Sequence, residues 1–136
     1  MPDAYALWVV LEITNSLGGP LKVQNARLSW GMFYKNGDKQ REIPPEEVDK
    51  IVIPAGSEGS VSSCGRLDSP SGTEGTIDLY DDTTKVCTLY WDCPWVSPHN
   101  NFAVRDVNQG YNVTNGPWNA GTGPLGNITI KVALKE

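Results

Sequence analysis

The residues with the most distinctive chemistry are tryptophans and tyrosines at predicted strand ends or in loops rich in glycine and proline. They occur in "SWGMFY" at 29–34, "YWDCPW" at 90–95 and "NGPWNAG" at 115–121. A tryptophan combines a large apolar ring with one N–H group, which suits the boundary between lipid and water. Its ring face also attracts ammonium groups, by about 0.5 to 2 kcal/mol per contact. Such residues predict a binding surface, although aromatic caps on the ends of a β-sandwich core would be placed similarly.

Position along the chain separates these aromatic residues. Trp91 shares a predicted strand face with Leu89, which favours a structural role. Trp95 follows Pro94, which ends the strand, so we expect Trp95 to be exposed. The aromatic residues in question are Trp30, Tyr90, Trp91, Trp95 and Trp118.

The loop "SCGRLDSPSGTEGT" at 63–76 is a second candidate for a binding role, because long loops of small residues carry specificity in many proteins. Arg66 and Asp68 within it could contact a headgroup phosphate or ammonium, or could pair with each other. A solvated connection without a binding role is the alternative interpretation.

Catalytic and metal chemistry are hard to assemble from this chain. A Ser-His-Asp or Cys-His site would need His99, the single histidine, and no GxSxG motif surrounds a serine. No glycine-rich phosphate-binding motif occurs. None of the 16 acidic residues is singled out as a catalytic pair. We therefore expect no enzyme activity and no cofactor. There is also no CxxC motif, so we expect no metal site.

The charge balance bears on the kind of partner. A formal net charge of -5 and a pI near 4.8 disfavour nucleic acid and simple attraction to an anionic membrane. The charge balance does not disfavour a neutral or zwitterionic partner. The apolar runs are too short for a membrane-spanning helix. The first 14 residues lack the basic start of a secretory signal, so we expect cytosolic accumulation or unconventional export.

Three cysteines, Cys64, Cys87 and Cys93, cannot all pair within one chain. Cys87 and Cys93 would share a strand face but lie roughly 20 Å apart, beyond the reach of a disulfide. We expect free, mostly buried thiols.

The segments that position these residues alternate between apolar and polar side chains, as β-strands do. Tyr5, Leu7, Val9, Leu11 and Ile13 form the predicted core face of the first strand, with Trp8 on the less buried face. A change of phase in 21–30 predicts a β-bulge near Asn25. Hairpin turns are predicted at Asn36-Gly37 and at residues 81–84. One short helix is predicted at residues 44–50.

The last segment, "NITIKVAL", predicts an inward row of Ile128, Ile130, Val132 and Leu134. Eight to ten short strands separated by turns indicate one domain over residues 1–136. Its predicted fold is an all-β antiparallel β-sandwich with at most one short helix.

Four segments in order, "LSWGMFYKNGDKQREI", "SCGRLDSPSGTEGTIDLYD", "YWDCPW" and "GPLGNITIKV", resemble the aegerolysin family over nearly the whole chain. The resemblance implies a small acidic β-sandwich with an actinoporin-like cytolysin fold, made without a conventional signal peptide. It also implies binding to membranes that contain sphingomyelin with cholesterol, or ceramide phosphoethanolamine. Several members act with a larger perforin-domain partner that forms the pore, and some pairs are insecticidal.

The resemblance implies lipid contacts for Trp8, Trp30 and Trp95, which match family tryptophans. The chain departs from the family at Ser71, where an acidic residue is frequent. It departs again at Pro98, followed by His99, where a lysine occurs. Both departures fall at positions tied to the choice of headgroup.

We therefore expect a sphingolipid-binding protein that is a monomer or weak dimer in solution. With a perforin-domain partner it would oligomerise at the outer surface of target membranes. A self-sufficient cytolysin is one alternative, disfavoured because 5–14 alternates as a strand and forms no amphipathic helix. A carbohydrate-binding module is another. If His99 lies beside the headgroup site, binding should change between about pH 5.5 and 7.5; an ordinary surface histidine would give a flat profile.

Overall fold

The computed structural model describes residues 4–67, 71–96 and 99–136; Asp68 and Pro98, two predicted site residues, lie outside this part. Short strands connected by tight turns make up most of it. In chain order, the elements are a 3₁₀ turn (Ala4–Ala6), β1 (Trp8–Asn15), β2 (Leu21–Trp30), β3 (Met32–Lys35), β4 (Asp38–Ile43), α1 (Pro45–Val48), β5 (Val52–Ile53), β6 (Glu58–Cys64), β7 (Thr73–Asp81), β8 (Thr84–Cys93), β9 (Asn101–Arg105), β10 (Tyr111–Asn115) and β11 (Gly126–Leu134).

The strands form two sheets, which confirms the predicted all-β sandwich. Sheet A has the order β10-β11-β1-β6-β3-β4, and sheet B has the order β5-β2-β7-β8-β9. The pair β1 and β11 is parallel, whereas the other pairs described are antiparallel. This one departure from the predicted pairing joins the first and last strands, whose long connection places no tight-turn constraint on direction.

The core lies between the sheets and follows the predicted alternation. Val9, Leu11 and Ile13 of β1 are buried, and the ring of Phe33 packs edge-on against Trp91 with centroids 6.0 Å apart. Tyr5 is half-buried in the 3₁₀ turn, so β1 begins later than predicted. The described core residues come from both sheets and include Leu21, Val23, Ile77, Leu79, Leu89, Ile128, Ile130 and Val132.

Leu134 corrects the predicted inward row at the end of the chain, because its side chain is 59% exposed. The reason is the register of sheet A. Strand β1 ends at Asn15, opposite Val132, so β11 runs beyond its inner neighbour there. At that point Leu134 pairs with Tyr111 of the edge strand β10.

Local signals in the sequence predict several turns correctly. The register of β2 shifts between Gln24 and Arg27, and Asn25 takes a φ of 55°, which confirms the bulge. Gly37 in the β3–β4 turn has a φ of 84°, a conformation that favours glycine. The predicted helix is a single turn with Pro45 near its start.

The three cysteines are buried and form no disulfide with one another, as predicted. Burial is the main cause that raises the pKa of Cys87 to about 12 and that of Cys93 to about 11. Their thiols therefore stay protonated and unreactive near neutral pH. In the described residues, no helix combines the length and apolar character needed to span a bilayer.

Candidate functional site

Three loops meet at one end of the sandwich, which we call the loop end (30–31, 65–67, 71–72 and 94–96). Glycines allow the backbones to approach closely there. A Cβ on Gly31, whose φ is 91°, would lie 2.6 Å from the carbonyl oxygen of Cys64. A Cβ on Gly72 would lie 1.7 Å from the carbonyl oxygen of Cys93. The loops after β2, β6 and β8 are thus held together by backbone packing that leaves no room for a side chain.

A buried chain of hydrogen bonds fixes the two sheets to each other beneath the loop end. Ser63 of sheet A donates through Oγ to the carbonyl oxygen of Met32 at 2.8 Å. Its oxygen lies 2.6 Å from Oγ1 of Thr73 in sheet B, so Thr73 is the donor of this second bond. Trp91 donates through Nε1 to the same Thr73 oxygen at 3.0 Å. The hydroxyl of Thr73 thereby joins both sheets and orients the largest buried ring.

A row of polar and aromatic residues crosses the outer face of sheet B at the loop end. The register pairs Trp30 with Glu74, Glu74 with Asp92, and Asp92 with Asn101, on four neighbouring strands. Directly paired residues share a face of a sheet. The neighbours of Glu74 along β7, Thr73 and Gly75, are buried, so the row faces solvent.

This row borders a groove of about 390 Å³. Trp30 forms one wall and is 60% exposed, whereas Trp95 is half-buried and packs against the core, less exposed than predicted. The residues around the groove are Trp30, Ser71, Gly72, Thr73, Glu74, Asp92, Pro94 and Trp95. The predicted residues Trp30, Ser71 and Trp95 are therefore brought together.

The carboxylates of Glu74 and Asp92 give the groove its negative charge. Burial, and secondly the charge of Glu74, raise the pKa of Asp92 above its usual range. Tyr90 donates through its hydroxyl to Oε2 of Glu74 at 2.5 Å, and Arg105 stacks on the Tyr90 ring at 3.9 Å. Neither carboxylate forms an ion pair within the described residues. The pair can therefore accept hydrogen bonds from a cation placed between the tryptophans.

The other predicted contact residues that the structure describes, Trp8, Arg66 and His99, are not among the residues around the groove. Trp8 is half-buried on the outer face of sheet A, where Lys39 Nζ lies 5.2 Å from its ring centre. Arg66 forms a two-point contact with Glu42, with Nη1 2.7 Å from Oε1. His99 is exposed shortly before β9. Sequence reasoning considered Trp8 with the other tryptophans, and the structure places it in a separate cluster with Met32, Tyr34 and Cys64.

Two groups of site residues were missed by the sequence analysis. Glu74 and Asp92 were not recognised as neighbours, and the exposed side chains of Leu67 and Val96 were not considered. Leu67 is 63% exposed and Val96 is 87% exposed, and both belong to the loop end. Val96 follows Trp95, which borders the groove, whereas Leu67 lines a separate hollow with Arg66. Exposed apolar residues at one end of a domain indicate an interaction surface. The described residues contain no cluster of histidine, cysteine and acidic side chains able to hold a metal ion.

The hydrogen-bond chain can be tested with Thr73→Val, which keeps the shape of the side chain and removes the hydroxyl. We expect the free energy of unfolding to fall by about 1 to 3 kcal/mol, because the Trp91 N–H is left buried without an acceptor. Urea denaturation measures this change. Thr114→Val, at an exposed position of β10, is the control and should change stability by less than about 0.5 kcal/mol. Equal effects of the two substitutions would contradict the assigned role.

The carboxylate pair predicts the titration of Asp92. Removing the neighbouring charge with Glu74→Gln should lower the pKa of Asp92, because that charge is one of the two causes that raise it. The pKa should still exceed that of an exposed aspartate, since burial is the larger cause. Carbon-detected NMR of the side-chain carboxyl group measures both values. A pKa that does not move in Glu74→Gln would show that the two groups are not coupled.

The aegerolysin family model matches residues 6–135. Asp-hemolysin from Aspergillus fumigatus is 46% identical over 135 residues, covering 98% of this chain and 97% of that protein. Ostreolysin A6 from Pleurotus ostreatus is 33% identical, covering 97% and 98%. These relatives are named as a haemolysin and a lysin.

Solved structures agree with this relationship. RahU, in complex with a Tris molecule, has a TM-score of 0.92 and 33% identity, with 98% of both chains covered. IP-1A from Alcaligenes faecalis has a TM-score of 0.89 and 36% identity, with 98% of this chain and 95% of that chain covered. The lipid-binding protein Nakanori shares the fold alone, at 13% identity and a TM-score of 0.56. Because the family model matches nearly the whole chain and these relatives are similar over nearly their whole length, this chain belongs to the aegerolysin family.

Proposed function

We propose that this protein docks on membranes that contain sphingolipid phosphoethanolamine headgroups, with the loop end in the bilayer interface. The observation that carries the proposal is the groove itself. Two tryptophans and two carboxylates meet there, the carboxylates form no ion pair with any described residue, and Val96, next to Trp95, is exposed to solvent. Such a combination fits a ligand that has a cationic group next to hydrocarbon.

The apolar part of the contact is made by three side chains. Trp30, Leu67 and Val96 would enter the interface, where each gains free energy in proportion to the apolar area that leaves water. Tryptophan is suited to this depth because its N–H group can still reach a polar partner. The loop end is therefore the part of the described surface that we assign to the membrane.

The polar part of the contact selects the headgroup. The primary ammonium of phosphoethanolamine can donate hydrogen bonds to Glu74 and Asp92, while Trp30 and Trp95 surround its hydrocarbon. A phosphocholine ammonium has no N–H to donate and would rely on the aromatic faces. Ser71 can donate a hydrogen bond to the phosphate. We therefore propose that the protein binds ceramide phosphoethanolamine more tightly than sphingomyelin with cholesterol.

Family membership further supports a role as the lipid-docking half of a two-component cytolysin. In this proposal, a perforin-domain partner assembles on the docked protein and forms the pore at the outer surface of the target cell. A self-sufficient haemolysin is the second candidate, favoured by the 46% identity to Asp-hemolysin. Dye release from sphingolipid vesicles separates the two, because the first predicts no release by this protein alone.

The lipid preference is tested by vesicle pull-down at neutral pH. We expect retention on ceramide phosphoethanolamine, weaker retention on sphingomyelin with cholesterol, and none on phosphatidylcholine alone. Trp30→Ala should weaken binding at least tenfold without lowering the melting temperature, because the ring is mostly exposed. Equal retention on all three compositions would contradict the proposal.

A matched pair of leucines tests the assigned membrane surface. Leu67→Ala should weaken vesicle binding roughly tenfold, since an inserted leucine contributes about 1.5 to 3 kcal/mol. Leu134→Ala removes a leucine of similar exposure, 59% against 63%, at the opposite end of the sandwich and should have no effect. The same loss of binding in both variants would show that the loop end is not the contact surface.

A further inference from the structure

A second groove lies on the outer face of sheet A, on the opposite side of the sandwich from the Trp30 row. It consists of two adjoining hollows of about 510 Å³ and 390 Å³ that share Val10, Asn36 and Asn127. Both volumes fall in the range of small-molecule sites, about 300 to 1,000 Å³. We call this the sheet A groove. Because it shares no lining residue with the groove at the loop end, it needs a separate explanation.

Strand register builds the floor of the sheet A groove. Val10 of β1 is paired with Asn127 of β11 on one side and with Ser62 of β6 on the other. Two residues further along β1, Glu12 is paired with Ser60. The β3–β4 turn, which carries Asn36 and Gly37, forms one wall, and Trp8 closes one end. The groove therefore has a rigid sheet as its base and an aromatic ring at its end.

The polar side chains of this groove have hydrogen-bonding capacity left over. Asn127, Gln40 and Glu12 make no side-chain hydrogen bond within the described residues. Among the described residues, the Asn36 side chain has one partner, Ser62, whose hydroxyl donates to the Asn36 oxygen at 3.4 Å. Amide N–H groups and carboxylate oxygens thus face one space together. Hydroxyl groups suit such a lining because each one both donates and accepts.

Charges of both signs line the groove, so a ligand of a single charge that fills both hollows would meet a like charge at one end. Glu12 and Glu58 at one end would repel an anion. At the other end, the Asp38 carboxylate is paired with Arg41, and Lys39 lies over the Trp8 ring and donates to the carbonyl oxygen of Tyr5 at 2.6 Å. A cation there would meet the Lys39 ammonium group. A neutral ligand avoids both repulsions.

We infer that the sheet A groove is a binding site for a neutral oligosaccharide. Its hydroxyls would bond to Glu12, Gln40 and Asn127. The apolar face of a sugar ring would lie against Val10 and the edge of the Trp8 ring, because Lys39 lies over the ring itself. The sugar would be either free or carried on a lipid or protein. This inference does not depend on the proposed function, because the two grooves are lined by different residues.

A microarray of neutral hexose and N-acetylhexosamine oligosaccharides tests the inference with fluorescently labelled protein. We expect binding by the wild type, and a loss of at least tenfold in Asn127→Ala and in Glu12→Gln. The matched control is Asn112→Ala, an exposed asparagine of β10 outside the groove, which should bind normally. Melting temperatures of all variants exclude unfolding as the cause.

Trp30→Ala separates this site from the lipid site. It should keep wild-type binding to the array while losing binding to ceramide phosphoethanolamine vesicles. The same variant is then tested on phosphatidylcholine vesicles that carry a neutral glycosylceramide. Retention on these vesicles would show that the sugar is carried on a lipid. Binding to the array without retention on the vesicles would show that the sugar is free or carried on a protein. Absence of binding by the wild type in both formats would overturn the inference, as would array binding unchanged in Asn127→Ala and Glu12→Gln.

Discussion

The hydroxyl of Thr73 is the contact on which the arrangement of the site depends. It receives the Trp91 N–H and donates to Ser63, so it joins sheet A to sheet B at the end where the loops converge. Gly72 precedes it with no room for a side chain against the Cys93 carbonyl, and Glu74 follows it in the groove. One short segment therefore sets the distance between the sheets, the packing of the loops and the position of a carboxylate.

This arrangement explains how a small domain can hold a charged site at its edge. Asp92 and Glu74 lie close enough to raise the pKa of Asp92, and Tyr90 supplies a hydrogen bond to Glu74. The carboxylates are held on neighbouring strands, not on loops, so little conformational entropy remains to be lost when a cation binds. The exposed apolar side chains lie on the adjoining loops, where they can adapt to a bilayer. Rigid and adaptable parts of the contact are thus carried by different elements.

Alternation in the sequence predicted the sandwich, the β2 bulge and the buried face of β1, because local side-chain period decides those features. The carboxylate pair could not be predicted in the same way. The turn pairs Asp81 with Thr84, and this register continued along the hairpin would place Glu74 opposite Trp91. A shift between Leu79 and Tyr80 moves the register by one residue and brings Glu74 opposite Asp92. No turn residue in the sequence marks that shift.

Trp8 illustrates a second limit. Its place on the less buried face of β1 was predicted correctly, but sequence could not say which outer surface it would join. The pairing of β1 with β6 puts it on sheet A with Met32, Tyr34 and Cys64, away from Trp30. The family resemblance predicted that Trp8, Trp30 and Trp95 all contact lipid, whereas the strand order places Trp8 on a different face of the sandwich from Trp30. Long-range pairing, which depends on the whole chain, decided this point.

The claim that the loop end enters the membrane is tested most directly by the immersion depth of spin labels. Leu67→Cys, Val96→Cys and Leu134→Cys can each be labelled singly, because all three native thiols are buried. Electron paramagnetic resonance with oxygen and a nickel complex then reports depth on ceramide phosphoethanolamine vesicles. We expect labels at 67 and 96 below the phosphate level and the label at 134 in water. Bound protein with the label at 134 immersed, or with all three labels in water, would contradict it.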